Sequence, residues 1–372
     1  MNSIIIAALV SWGVILFIIR FNHLHAGLTA DSDVAGVQKF HARPVPRIGG
    51  VGLFLGLLAV SVWLQVVNPK VGAPMLWLLV ASAPAFLGGL LEDVTKRVGV
   101  LVRLLLTMLS AVLGYWLLQA GLIRLDIPLV DVALKWWPFS LLLTVVAIAG
   151  VANAINIIDG FNGLAGVVGV MIFGALAYVS YLVGDTLLWS ASAAMMGGLL
   201  GFLVWNYPRG HIFLGDGGAY FLGFLIGEIS VLLVVRHPEV SPWFPMLLVI
   251  YPVFETLFSI YRKKVLRGMS PGVPDGVHLH MLVYKRLVRW AVGSREANDQ
   301  TKRNALTSPY LWVLSSLAIV PAVLFWRSTP MLIFCVLVFS LVYIWLYRSI
   351  VLFRVPSKLV LRGRRRTRDD VR

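Results

Sequence analysis

The sequence predicts an all-α fold, a polytopic integral membrane helical bundle with about 11 transmembrane helices. Composition is the first observation: the 372 residues are 59% hydrophobic and 13% charged, about half the charged fraction of a water-soluble domain. The mean hydropathy is +0.86. Second, apolar stretches close to the ~20 residues that cross a bilayer core recur along the chain. Third, basic residues are concentrated in alternate loops, the bias that orients membrane helices.

The stretches run, in order, at 3–19, 48–67, 74–91, 99–119, 138–156, 162–183, 187–205, 218–235, 243–261, 309–326 and 331–347. The first, from Ser3, has no basic residues ahead of it and ends at Arg20. It therefore reads as a retained helix with its N-terminus outside, not as a cleaved signal. Alternation from that start places the loops after spans 1, 3, 5, 7 and 9, and the C-terminus, in the cytoplasm. The outer loops and ends then hold Lys70, Arg124, Lys135, Arg236 and Arg327, while Arg262, Lys263, Lys264, Arg267 and the Arg362–Arg368 run lie inside. Residues 1–350 read as one transmembrane domain and 351–372 as a basic cytoplasmic tail. The net charge of +15 thus reports topology and attraction to anionic lipid, and no nucleic-acid partner is expected. A single cysteine, Cys335, excludes a disulfide framework.

This topology gathers the unusual polar strings on one face. The second loop reads L-E-D-V-T-K-R, with Glu92, Asp93, Lys96 and Arg97. Adjacent acids at a membrane edge bind cations, handle protons or simply end a helix in water. The third reads N-A-I-N-I-I-D-G-F-N-G, from Asn153 to Gly163. A polar group without a partner in lipid costs several kcal/mol, so such a string lines a site or a water-filled cavity. If it begins helically, Asn156 and Asp159 share a face, and Asn162 continues that row. The fourth contains Asn206, Phe213 and Gly215-Asp216-Gly217-Gly218, where glycines let backbone N–H groups approach an anion. The long fifth loop, 262–308, contains P-D-G-V-H-L-H-M with Asp275, His278 and His280. Phosphate contact, plain loop polarity and a zinc site all remain open for it. The first loop adds His41, Arg43 and Arg47 ahead of Gly49-Gly50, a basic stretch before a helix start.

Asp93, Asp159 and Asp216 suit a hard cation, and the Arg and His groups suit phosphate. Mg²⁺ takes one or two carboxylates plus substrate phosphate oxygens, so the ingredients fit a Mg²⁺-dependent phosphoryl-transfer site. No G-x-x-x-x-G-K-[ST] string is present and no glycine string follows a strand, which removes support for ATP-driven transport and Rossmann-type redox chemistry.

With N-x-x-N-x-x-D-G, F-x-G-D-x-G and an acidic pair followed by Lys96, the chain resembles the polyprenyl-phosphate N-acetylhexosamine-1-phosphate transferases, glycosyltransferase family 4, over about residues 39–285. Eleven spans with the C-terminus inside are similar to the WecA-like UDP-GlcNAc:undecaprenyl-phosphate branch rather than to the ten-span translocases. The resemblance implies transfer of GlcNAc-1-phosphate from a UDP-N-acetylhexosamine to undecaprenyl phosphate, with release of UMP, at the cytoplasmic face of a bacterial inner membrane. That step would initiate cell-envelope polysaccharide or O-antigen synthesis. It implies Mg²⁺, with Mn²⁺ as a substitute, held by Asp216 and Asp159. Asp93 with Glu92, and Asp159, take the catalytic positions. Arg43, Lys96, Asn153, Asn156, Asn162, Asn206, Phe213, His278 and His280 take substrate-binding ones. A homodimer is allowed for.

Three positions depart from the family pattern: Glu92 where Asp is usual, Asn162 where Asp is common, and Met281 where another His often stands. A phosphate monoester is already largely ionised near neutrality, so Asp93 is expected to position the acceptor rather than abstract a proton. The competing class is a secondary transporter or lipid flippase, which would place its polar groups in broken helices near the midplane.

Overall fold

The computed structural model describes residues 1–31, 44–266, 268, 276–288 and 297–354. Its helices are α1 (Asn2–Arg20), α2 (Asn22–Thr29), α3 (Gly50–Val67), α4 (Pro69–Thr95), α5 (Val100–Leu117), α6 (Pro128–Leu134), α7 (Trp137–Ile158), α8 (Leu164–Leu182), α9 (Thr186–Asn206), α10 (Gly215–Arg236), α11 (Trp243–Leu248), α12 (Ile250–Tyr261), α13 (Leu279–Leu282), α14 (Ala297–Leu324) and α15 (Thr329–Val351). Between α2 and α3, β1 (Ala30–Asp31) pairs antiparallel with β2 (Val45–Pro46), Ala30 opposite Pro46. Prolines stand in the first turn of α4, α6, α7 and α15, where a missing N–H has no helical partner to lose.

Ten helices among the described residues are long and apolar enough to cross a membrane, and the chain is a multi-pass membrane protein. They match ten of the eleven expected stretches. The ninth, 243–261, is instead two short helices broken at Val249. Pro252 falls in the first turn of α12, the place in a helix that tolerates proline, so the chain restarts there instead of running through. The fifth loop is also shorter than 262–308, because α14 begins at Ala297. Its first turns are polar, and Asn304, Thr307 and Ser308 are buried against protein, which hydropathy cannot register.

The core is built around α10, buried along nearly its whole length. It packs against α3, α4, α5, α7, α8 and α9. Outer helices turn large apolar side chains outward, among them Leu101 and Leu105 on α5 and Leu337 and Leu341 on α15, as lipid as a solvent requires. The C-terminal ends of α4, α7 and α9 and the N-terminal ends of α3, α5, α8 and α10 meet at one end of this bundle, which holds the polar strings.

Candidate active site

The N-terminus of α10 is the centre of the polar end. Gly215 has φ +77°, a left-handed conformation that costs a β-carbon dearly. A β-carbon there would also collide with the Arg47 carbonyl and stand 2.6 Å from Asp93 Oδ2. Glycine at 215 therefore lets three segments converge. The Asp216 and Gly217 N–H groups donate to Asp93 Oδ1 (2.9 Å) and Oδ2 (2.8 Å). A side chain at the end of α4 thus caps α10, satisfying N–H groups that have no partner inside their own helix. Gly89, one turn earlier on α4, faces the Asp216–Gly217 peptide so closely that a β-carbon would overlap it.

Two guanidinium groups close over this end. Arg47 follows β2, and its N–H donates to Thr29 O at 3.0 Å. Its Nη2 lies 3.7 Å from Asp93 Oδ1 and 3.5 Å from Asp216 Oδ1. Arg103 on α5 pairs with Asp216 Oδ2 and lies over the Tyr220 ring, 5.8 Å from its centroid. Asn156 Nδ2 donates to Asp216 Oδ1 at 2.9 Å. Asp216 is therefore oriented from three sides, its charge balanced by two arginines.

Asp159 ends α7 as its C-cap. Unlike Asp93 and Asp216, its carboxylate accepts no hydrogen bond among the described residues. Burial raises its pKa to about 7, with the Arg47 guanidinium pulling the other way. A desolvated carboxylate without a donor is a candidate ligand for a hard cation. Among the described residues no three His, Cys, Asp or Glu side chains form a cage by themselves. Mg²⁺ does not demand one, since substrate phosphate oxygens and water complete its octahedron. The donor set therefore fits.

The histidines approach the same turn. The His278 and His280 rings lie parallel with centroids 5.3 Å apart, and His280 stands edge-on to Phe161 at 5.6 Å. His280 Nε2 is 3.6 Å from where a Gly160 β-carbon would stand. Both its ring nitrogens are buried without a hydrogen-bond partner among the described residues. Burial holds its pKa down to about 3, Glu255 opposing and His278 reinforcing, so the ring is neutral.

A family model for glycosyl transferase family 4 matches residues 75–234, which include Asp93, Asp159 and Asp216. The chain is similar to a probable undecaprenyl-phosphate N-acetylglucosaminyl 1-phosphate transferase of Bacillus subtilis, 28% identical over 75% of this chain and 77% of the relative. It is also similar to undecaprenyl-phosphate alpha-N-acetylglucosaminyl 1-phosphate transferases of Thermotoga maritima, 28% identical over 68% and 72%, and of Escherichia coli strain K12, 25% identical over 68% and 69%. The central stretch of the chain, 75–234, thus resembles glycosyl transferase family 4.

The expected site residues separate into three groups. Asp93, Asp159, Asp216 and Asn156 converge with Arg47, and His278 and His280 adjoin them. Asn153, half-buried, lies one turn before Asn156 on α7, and half-buried Phe213 accepts the Gly49 N–H at 2.9 Å, tying the fourth loop to α3. A second group braces loops. Glu92 points away from Asp93 and accepts the Val98 N–H at 2.6 Å, while exposed Lys96 takes a left-handed φ of 55° as C-cap of α4. Because α7 stops at Ile158, Asn162 leaves the helical row expected for it. Its N–H donates to Asn304 Oδ1 (2.7 Å), its Nδ2 to Pro208 O (3.0 Å), and its carbonyl accepts Ser308 Oγ (2.6 Å). Asn206 accepts the Gly163 N–H at 2.6 Å and donates to Ile212 O at 2.7 Å. The third group, Arg43 with His41, Asp275 and the tail from 355, lies outside the described residues.

Arg47 and Arg103 are the charged residues at this end that were not among the expected site residues. Arg47 reads, with His41 and Arg43, as a basic group ahead of a helix start that anion binding and topology explain equally well, and Arg103 reads as a charge near a helix end. A basic residue within an apolar stretch is costly unless paired, and that was the available signal for Arg103.

Proposed function

We propose that this protein transfers GlcNAc-1-phosphate from UDP-GlcNAc to undecaprenyl phosphate, releasing UMP, in a Mg²⁺-dependent reaction at the cytoplasmic face of a bacterial inner membrane. We extend this to the first lipid-linked step of a cell-envelope polysaccharide. The observation that carries the reading is the junction of Asp93, Asp159, Asp216, Arg47 and Arg103 at one end of a membrane bundle, in a chain similar to transferases of that name. The basic bias of the loops at this end supports the cytoplasmic placement.

In the reaction an oxygen of the acceptor phosphate bonds to the β-phosphorus of the donor. The β-phosphorus–bridging oxygen bond breaks, and its electron pair leaves with UMP. Both reactants are anions, so uncatalysed approach is opposed by repulsion. Asp216 and Asp159 would hold Mg²⁺, which when bound neutralises diphosphate charge and stabilises the leaving oxygen. Arg47 and Arg103 supply fixed positive charge beside those carboxylates, at a membrane edge where water screens it less. Asp93 keeps the α10 N-terminus, and with it Asp216, in place. His278 and His280 line the Asp159–Phe161 turn as donors or acceptors for the donor diphosphate. The geometry concentrates charge and orients groups, and holding a lipid phosphate in line with a soluble nucleotide supplies the remaining advantage.

The transporter alternative is not favoured: the relatives are transferases, and the charged groups collect at one helix end rather than at a midplane break. The test is UMP release by purified protein given UDP-GlcNAc, undecaprenyl phosphate and Mg²⁺. Mg²⁺-dependent release is expected, and no release with any UDP-N-acetylhexosamine refutes the reading.

A further inference from the structure

Glu255 lies on α12, fully buried, and the chemistry above does not use it. Its Oε1 accepts His278 Nδ1–H at 2.9 Å and the Leu279 N–H at 3.2 Å, while Oε2 accepts Tyr343 O–H at 2.6 Å and shares the Leu279 N–H at 3.3 Å. A carboxylate buried among so many donors is fixed in place, because each bond it lost would leave charge unsolvated. With Nδ1–H turned to Glu255, the distal nitrogen Nε2 of His278 faces the other way. That atom has no hydrogen bond among the described residues. The ring direction is further limited by the parallel contact with His280, which in turn abuts Gly160 and Phe161 beside Asp159.

The other end of this arrangement is α15, a helix whose large apolar side chains mostly face outward. Tyr343 and Tyr347 are among its inward-facing exceptions, with Leu332, Phe339 and Ile350. Tyr343 holds Glu255, and Tyr347 O–H donates to Val277 O at 3.2 Å while accepting Arg262 Nη1–H at 3.0 Å. Helix α15 thus grips the histidine segment at two points, one directly and one through Glu255. Both α12 and α15 lie outside the stretch matched by the family model.

We propose that Glu255 is a positioning residue that turns His278 Nε2 toward the donor diphosphate, and that α15 sets Glu255 through Tyr343. This rests on the transferase reading above. The arrangement parallels a carboxylate orienting a histidine that must present one nitrogen to its target, where loss of the carboxylate costs about 10- to 100-fold.

The experiment is a set of mutant cycles on the full chain, reading UMP release against each substrate in turn. His278→Asn is the partner variant, since its amide can keep Glu255 paired while removing the distal nitrogen. Glu255→Gln is expected to lower kcat/KM for UDP-GlcNAc about 10- to 100-fold, with KM for undecaprenyl phosphate unchanged within about twofold. In the His278→Asn background the same change is expected to add little, because the atom it orients is gone. Tyr343→Phe gives a smaller loss with the same selectivity and the same dependence on His278. It carries the test if Glu255→Gln does not fold. Losses that add in the double variants, or that fall equally on both substrates, overturn the proposal while leaving the transferase reading standing. A wild-type protein that releases no UMP with any UDP-N-acetylhexosamine overturns both.

Discussion

Replacing Asp93 by Asn separates a structural from a chemical role for the best-buried acid of the site, 1% exposed. In the native protein each carboxylate oxygen accepts one backbone N–H from the start of α10, at 2.9 and 2.8 Å, and Arg47 stands 3.7 Å away. Asn keeps one acceptor but presents an NH₂ group to the other N–H. One charge-assisted bond is lost, which costs about 1.5–3 kcal/mol, and the positive end of the helix loses its counter-charge, about 0.3–1 kcal/mol more. A total of roughly 2–4 kcal/mol corresponds, for a chain of this size, to a fall in Tm of about 3–5 °C. Thermal unfolding of the purified protein in detergent measures this, with UMP release measured on the same preparation below the transition. Stability and turnover are expected to fall together, because Asp216 is placed by the peptide that Asp93 holds. If Tm stays within about 1 °C while turnover is abolished, Asp93 acts on substrate and its capping role is refuted.

Other expectations follow from the same geometry. Asp216→Asn should abolish UMP release with the fold retained, as judged by size exclusion and Tm; near-normal turnover would show that the metal has been assigned to the wrong carboxylates. Asp159→Ala should weaken Mn²⁺ binding, read by electron paramagnetic resonance without substrate, by about tenfold or more; unchanged affinity removes Asp159 from the cation site. Asn304→Ala removes the acceptor of the Asn162 N–H and should cost about 1–3 kcal/mol, seen as a lowered Tm. His280 should stay neutral well below pH 5, because its folded pKa is about 3 against 6.5 for the free side chain. The unfolded chain then binds the extra proton between those values, so His280 reduces stability as pH falls below about 6.5. Histidine ¹⁵N shifts report the ring directly, and a midpoint near 6.5 would refute the burial argument.

The helices were legible because lipid imposes a simple rule. Backbone groups in hydrocarbon must bond within their own segment, so ten apolar stretches became ten helices with ends within a few residues for most of them. The stretch at 243–261 failed the rule where Pro252 supplied no N–H, a local effect that average hydropathy does not weigh. The polar end of α14 failed it oppositely: Asn304 and Ser308 are polar by composition yet buried, because they satisfy the third loop.

The candidate site divides the same way. The sequence by itself determined the aspartates, the asparagine–aspartate string and the histidines, since a charge or amide at a membrane edge stands out against an apolar background. It did not determine which of these side chains face a ligand and which face the protein. Asp93 and Asp216 look alike in the sequence, but one caps a helix and the other sits between two arginines. Asn156 and Asn162 look alike too, but only the first reaches Asp216. Only the tertiary structure decided these pairings, and it supplied the partners of Arg47, Arg103, Glu255 and Tyr343. Residue type sets what a polar group needs, and the groups that satisfy it come from segments far apart in the chain.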